Sequence, residues 1–164
     1  AGCGPAPMIS LLSEKYPDRH YTGLDLTPAM IEEAKKKKIP NAVFVVGDCE
    51  NFPFDVDSFD AIICSMSFHH YPNPQAFFNI VKRCLRPNGR LILRDVTSDN
   101  KTLVWLMNKL EMPLANLFGH GDVQVPTRDL VYKCCKEAGL NVEKFEIRKG
   151  MRLHCVVRKE GNSK

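Results

Sequence analysis

Three short runs constrain this chain more than any other feature, because each reads as a buried strand and helix-patterned segments alternate with them. Ala42–Val46 reads Ala-Val-Phe-Val-Val, Ala61–Cys64 is a second run, and Arg90–Val96 a third entered through the turn Pro87-Asn88-Gly89. Uninterrupted apolar runs of strand length suit strands covered on both faces, which is the usual setting of parallel strands. Tyr21–Leu26 adds another short strand. The intervening segments carry helical spacing. Met8–Tyr16 has apolar residues at Met8, Ile9, Leu11, Leu12 and Tyr16 and is ended by Pro17. Thr27-Pro28 reads as a hydroxyl cap with proline in the first turn, followed by Met30, Ile31 and Ala34 on one face. Asn73-Pro74 caps a helix whose stripe is Phe77, Ile80, Val81, Cys84 and Leu85, and Thr127 caps another through Ala138, stopped by Gly139. Val142–Arg148 and Arg152–Val157 flank Lys149-Gly150 as an antiparallel hairpin. The expected fold is therefore α/β: a three-layer sandwich on a mostly parallel sheet with an antiparallel C-terminal hairpin.

Length and charge narrow the class. With 164 residues, 44% apolar and 26% charged, one globular domain over 1–164 is expected. A net charge of +4 is too small to argue for nucleic acid. Lys35–Lys38 close a helix, where cations complement the dipole. Every apolar run falls well short of the ~18 residues of a membrane span, and Ala1–Pro7 lacks the basic start of a signal peptide. Seven cysteines form no Cys-x-x-Cys pair, so neither a zinc site nor a redox dithiol is expected. Cys64 and Cys155 read as small buried hydrophobes, and the neighbours Cys134 and Cys135 are poorly placed to bridge. A reduced, cytoplasmic protein without a nucleic-acid or membrane partner is the simplest expectation.

Three strand ends carry chemistry. Gly2-Cys3-Gly4-Pro5-Ala6 precedes the first helix, where glycines allow close backbone approach and a helix start offers free N–H groups. Alone, such a stretch is equally a turn. Asp25 ends the next strand 21 positions after Gly4, the place of an acid that hydrogen-bonds a ribose diol. It would serve equally as a helix-capping carboxylate near Thr27. Gly47-Asp48-Cys49-Glu50 follows another strand, where a carboxylate can accept from an exocyclic amine and the next N–H can serve a ring nitrogen. Three polar groups on one sheet edge make a nucleoside pocket.

With these stretches, Gly23-Leu24-Asp25-Leu26-Thr27-Pro28-Ala29-Met30, Gly47 to Phe54, Ser58 to Ile63, Phe68-His69-His70 and Leu85 to Leu91 stand in a familiar order. They resemble a class I S-adenosylmethionine-dependent methyltransferase of the small-molecule type grouped with the ubiquinone/menaquinone C-methyltransferases. The likeness covers about Gly2 to Val96 and implies a Rossmann-like fold with S-adenosylmethionine as cofactor. It implies that Gly2 and Gly4, with Cys3 and Pro5 in the same loop, pass under the methionine part of the cofactor. Asp25 would hold the ribose hydroxyls, Leu26 and Met30 would flank the adenine, and Asp48 and the Cys49 N–H would take its amino group and ring. Ser65 and Met66 would face the methionine tail and sulfonium. Ala6 stands where the family often has a third glycine. The family's first strand has no counterpart before Ala1. In the family order 3-2-1-4-5-7-6 this leaves a gap, to be met by a longer natural protein, by direct pairing or by a partner chain such as a homodimer.

The implied reaction is in-line displacement at the sulfonium methyl, needing alignment and exclusion of water more than a catalyst. No catalytic residue is assigned. His69, His70 and Tyr71 are expected on the substrate side, with successive side chains diverging so that one histidine at most faces the methyl; fixing the turn before Pro72 is the alternative. Two adjacent histidines seldom converge on a metal without other ligands nearby, so none is expected. Residues 98–126 form the expected substrate-side cover, with Leu103, Trp105, Leu106, Leu110, Met112, Leu114, Leu117 and Phe118, and Gly119-His120-Gly121 as a hinge or a plain loop. A nicotinamide oxidoreductase is less favoured, since Pro7 stands where the third glycine of Gly-x-Gly-x-x-Gly belongs. A non-catalytic S-adenosylmethionine-binding or scaffold relic is the alternative of a different class.

Overall fold

In a computed structural model describing residues 1–117 and 121–161, the strands form two sheets. β1 (Tyr21–Asp25) and β2 (Ala42–Val46) pair in parallel, with Tyr21 opposite Ala42 and Asp25 opposite Val46. The second sheet has the order β3-β4-β6-β5, from β3 (Phe59–Ser65), β4 (Leu85–Val96), β5 (Asn141–Arg148) and β6 (Arg152–Arg158). β3 and β4 run parallel, while β6 lies antiparallel to both β4 and β5, as the expected hairpin requires. Helices α1 (Pro7–Lys15), α2 (Pro28–Lys36), α3 (Pro74–Cys84) and α6 (Arg128–Ala138) fall where the periodicity places them.

The division between the sheets lies between β1 and β3. Direct pairing of β1 with β3 does not close it among the described residues. Residues 1–3 run between the two instead: the Ala1 ammonium donates to the Ile63 carbonyl at 2.9 Å and the Cys3 N–H to the Leu24 carbonyl at 3.0 Å. Burial joins what hydrogen bonding does not. Leu24 of β1 belongs to the same core cluster as Cys64, Phe68, Phe78, Leu91 and Leu153. A second cluster, Ala6, Ile9, Ile31, Ala34 and Phe44, packs α1 and α2 against β1 and β2.

Three expectations are corrected. β2 is not covered along both faces, and Val43 is 61% exposed. Among the described residues it pairs only with β1 and so forms the edge of its sheet. Thr27 does not cap α2 through its hydroxyl; its N–H donates to Asp25 Oδ1 at 3.0 Å, and Pro28 opens the helix. β4 begins at Leu85 rather than at Arg90, because Phe59 already pairs with Leu85 across an irregularity in β3. Asn73 and Thr127 do cap, accepting from the N–H groups of Ala76 and Leu130 at 3.2 Å each.

The cover expected over 98–126 is largely helical: α4 (Lys101–Leu106), a π-helical segment (Met107–Glu111) and α5 (Met112–Leu117). Asn100 caps it by accepting from the Thr102 and Leu103 N–H groups. Pro113 has no N–H to give Lys109, and the Met112 N–H bonds to the Met107 carbonyl, which is the wider π spacing. Phe118, Gly119 and His120 of the expected cover and hinge lie outside the described residues. Among the described residues, no helix is long and apolar enough to cross a membrane.

Candidate active site at the strand C-termini

The glycine loop is fastened from below. The Asp25 carboxylate accepts the Gly4 N–H on Oδ2 at 2.7 Å and the Thr27 N–H on Oδ1 at 3.0 Å. Spacing alone offered a diol ligand or a capping group; the carboxylate holds both the glycine loop and the start of α2. Each oxygen keeps a lone pair for a further donor. Gly2 and Gly4 have φ of 60° and 52°, the left-handed region that glycine enters freely. A Cβ on Gly2 would lie 2.4 Å from Ser67 Cβ, whereas nothing lies within 4 Å of one on Gly4. Ala6 keeps the glycine-like backbone, with φ 58°, at the N-cap of α1, and its methyl is fully buried. That strain of about 1–2 kcal/mol is largely offset by about 0.8 kcal/mol of methyl burial and by the smaller backbone entropy alanine loses.

The parallel register sets Asp25 opposite Val46, and the Gly47 N–H donates to the Asp25 carbonyl at 2.9 Å. Asp48 follows directly, so both carboxylates stand at the same end of adjacent strands. Asp48 Oδ1 accepts the Glu50 N–H at 2.8 Å, and Glu50 in turn accepts the Asn73 N–H at 2.5 Å, tying this loop to α3. Burial leads in raising the Glu50 carboxyl, against the Asn73 hydrogen bond that lowers it. Leu26 and Met30 are exposed at the same edge, 70% and 41%, and Cys49 is buried.

Beyond β3, Met66 is exposed with φ 55°, its N–H bonded to the Arg94 carbonyl, and Ser65 is half-buried. Ser67 went unnoticed in the sequence. Buried beneath Gly2, its hydroxyl lies 3.2 Å from Cys64 Sγ, 3.3 Å from the Tyr71 hydroxyl and 3.3 Å from the Ala1 carbonyl. Tyr71 is therefore turned away from the place expected for it. It is buried, edge-on to Phe68 and Phe77, with its hydroxyl under the glycine loop. Burial pushes that hydroxyl well above its ordinary pKa, aided by the neighbouring thiols Cys64 and Cys49.

The two histidines do not diverge. In the 3-10 turn Phe68–His70 their ring centroids lie 3.9 Å apart. His69 Nδ1 is 2.7 Å from Oδ1 of Asp95, a buried carboxylate on β4 that also accepts the His69 N–H at 3.2 Å and the Val96 N–H at 2.7 Å. Asp122 faces both rings, its Oδ1 at 3.5 Å from His69 Nε2 and 3.1 Å from His70 Nδ1. Burial opposes charge on His69, but the Asp95 hydrogen bond and charge, with Asp122, outweigh it and raise its pKa. No local pattern marked Asp95 or Asp122 as their partners. Trp105, expected on the substrate side, is 60% exposed on α4, in an apolar row with Leu106, Leu110, Leu114 and Leu117, while Met107 and Met112 face inward onto Val125.

Residues 1–93 match the family model described as a methyltransferase domain. The chain is 41% identical over 104 residues to a phthiotriol/phenolphthiotriol dimycocerosates methyltransferase of Mycobacterium leprae, covering 63% of this chain and 38% of that one. It is 33% identical over 97 residues to a demethylmenaquinone methyltransferase of Thermotoga maritima, covering 59% and 42%. It thus spans less than half the length of either relative. An S-adenosylmethionine-dependent methyltransferase from Mesorhizobium loti superposes with a TM-score of 0.78 at 16% identity, covering 96% of this chain and 88% of that one. That likeness fixes the fold as Rossmann-like α/β.

Proposed function

Because the chain belongs to the methyltransferase domain family, we propose that it transfers a methyl group from S-adenosylmethionine to a small-molecule acceptor with an apolar body. The observation that carries this reading is the shared rim: Asp25 bonded to the Gly4 N–H, and Asp48 beyond the paired strand end. Asp25 accepts from the ribose hydroxyls, Leu26 and Met30 shield the adenine, and Asp48 with the Cys49 N–H reads its edge. The glycine loop lets the methionine portion lie against the backbone, and Ser65 and Met66 border the sulfonium.

The cofactor supplies an already electrophilic methyl. The chain's own residues therefore have to bind, align and keep water out. His69, His70 and the cover bearing Trp105 border the acceptor side. The exposed apolar row on α4 and α5 and the lipid and quinone acceptors in the relatives' names both support an apolar acceptor. Pro7 at the start of α1 has no N–H to offer a pyrophosphate, which speaks against a nicotinamide cofactor.

Calorimetry with S-adenosylmethionine and with NAD tests the cofactor, and transfer of labelled methyl to a menaquinol precursor or a long-chain phenol tests the reaction. Tight binding of the first cofactor alone, with transfer, is the expected result. Binding of NAD alone overturns the cofactor assignment, and S-adenosylmethionine binding without transfer to any apolar acceptor overturns the enzymatic one.

A further inference from the structure

Two adjacent histidines need a third ligand before they can hold a metal, and the fold supplies one. We propose that His69 Nε2, His70 Nδ1 and a carboxylate oxygen of Asp122 bind a divalent transition-metal ion of the zinc class. These atoms come from the turn after β3 and from the segment following the cover, and all lie within 4.8 Å of one another. Zinc holds histidine nitrogen at about 2.0–2.1 Å and carboxylate oxygen at about 2.0–2.2 Å, so neighbouring tetrahedral ligands stand about 3.3 Å apart. The two measured edges, 3.5 Å and 3.1 Å from Asp122 Oδ1 to the two nitrogens, bracket that value.

The group behind His69 points the same way. Asp95 is buried and held by the Val96 and His69 N–H groups, so its carboxylate is fixed. His69 Nδ1 lies 2.7 Å from Asp95 Oδ1, which turns the Nε2 edge of the ring toward Asp122. The 3.5 Å between His69 Nε2 and Asp122 Oδ1 is a span that one ion bound to both would bridge. A carboxylate behind a ligating histidine is the usual outer partner of a metal, orienting the ring and raising its basicity. Two imidazoles with one carboxylate favour zinc, iron or nickel over magnesium or calcium. Three protein ligands leave a position open, and on the reading of this rim as the acceptor side that position takes an acceptor oxygen.

The test is zinc titration calorimetry on the whole chain and on His69→Ala, His70→Ala, Asp122→Asn and Asp95→Asn, with circular dichroism melts to establish folding. Cobalt substitution supplies the ligand signature. Each ligand variant should weaken zinc by at least about 100-fold and Asp95→Asn by about 10–100-fold. The cobalt spectrum should show tetrahedral bands without thiolate charge transfer, which excludes the seven cysteines as ligands. Zinc binding that is absent, unchanged in folded variants or thiolate-coloured overturns the proposal. S-adenosylmethionine binding measured alongside separates the readings: its presence without zinc binding sinks this site alone, whereas zinc binding without it supports the site and sinks the methyltransferase reading.

Discussion

Gly4 and Asp25 are joined by a 2.7 Å hydrogen bond from the Gly4 amide to Asp25 Oδ2, across 21 positions. The other carboxylate oxygen takes the Thr27 N–H. One side chain thus fixes both the loop that would underlie the cofactor and the start of the helix beside it. Loop geometry and ligand recognition are coupled through a single charge.

Replacing Asp25 by asparagine leaves one acceptor oxygen for two backbone donors and turns an amide NH2 toward one of them. Loss of a charge-assisted hydrogen bond costs about 1.5–3 kcal/mol. S-adenosylmethionine affinity should fall by about 10–100-fold by calorimetry. An unchanged dissociation constant in the folded variant counts against the assignment of Asp25.

Gly2 and Gly4 share a backbone conformation but not surroundings, so alanine should separate strain from sterics. Gly4→Ala meets open space and should cost about 1–2 kcal/mol from φ alone. Gly2→Ala adds a collision with buried Ser67, whose own backbone must give way. Urea denaturation should show the larger loss at Gly2, partly restored by Ser67→Gly. Equal losses at both positions would contradict the close approach.

Helix caps give a second contrast. Thr127→Ala and Asn73→Ala each remove a side-chain acceptor from a helix N-terminus and should cost about 1 kcal/mol. Thr27→Ala removes no such bond, and its effect on the urea midpoint should be a small fraction of theirs. A full capping loss at Thr27 would mean that its hydroxyl serves α2 in solution.

This contrast also shows how far the sequence was legible. The three caps look alike in one dimension, since each stands just before a helix. Which one uses its side chain depends on the neighbours, and at Thr27 Asp25 engages the backbone first. Strand ends and helix starts carry local signals, so the glycine loop, Asp25, Asp48 and the C-terminal hairpin were all readable. The histidine cluster was not. Asp95 sits 26 positions and Asp122 about 50 positions from the histidines, and only the pairing of β3 with β4 and the return from the cover bring them together. Tyr71 misled for a related reason: its hydroxyl finds Ser67 and Cys64 inside, and burial with partners prevails over its place in a loop.

The cysteines make stability depend on alkaline pH. Burial pushes Cys135 and Cys155 up to about 12, reinforced at Cys135 by its Cys155 neighbour and partly offset at Cys155 by Arg128. An unfolded thiol ionises near ~8.5. The folded state therefore holds protons that the unfolded state has released, and stability, complete below about pH 8.5, falls as pH rises toward the folded values. Each such thiol contributes a slope of about 1.4 kcal/mol per pH unit. Urea unfolding under reductant between about pH 8.5 and 10 should show this decline, and Cys135→Ala should flatten it. A flat profile would show that these thiols ionise freely in the fold.

The cover separates packing from surface function. Met107 is buried against Met112 and Val125, so Met107→Ala should cost about 2–3 kcal/mol. Leu110 and Leu114 are about 60% exposed and support no core. Leu110→Ser with Leu114→Ser should then leave stability within about 0.5 kcal/mol per site. An apolar row of this length, with Trp105 at its start, is what an amphipathic acceptor needs to rest on before its reactive end reaches the rim. Binding of a long-chain phenol, followed by fluorescence of Trp105, the sole tryptophan, should weaken in the serine double variant. S-adenosylmethionine affinity should not change, because Leu110 and Leu114 are not among the residues assigned to the cofactor. Loss of stability with unchanged phenol binding would make the row part of the core and leave the acceptor surface elsewhere.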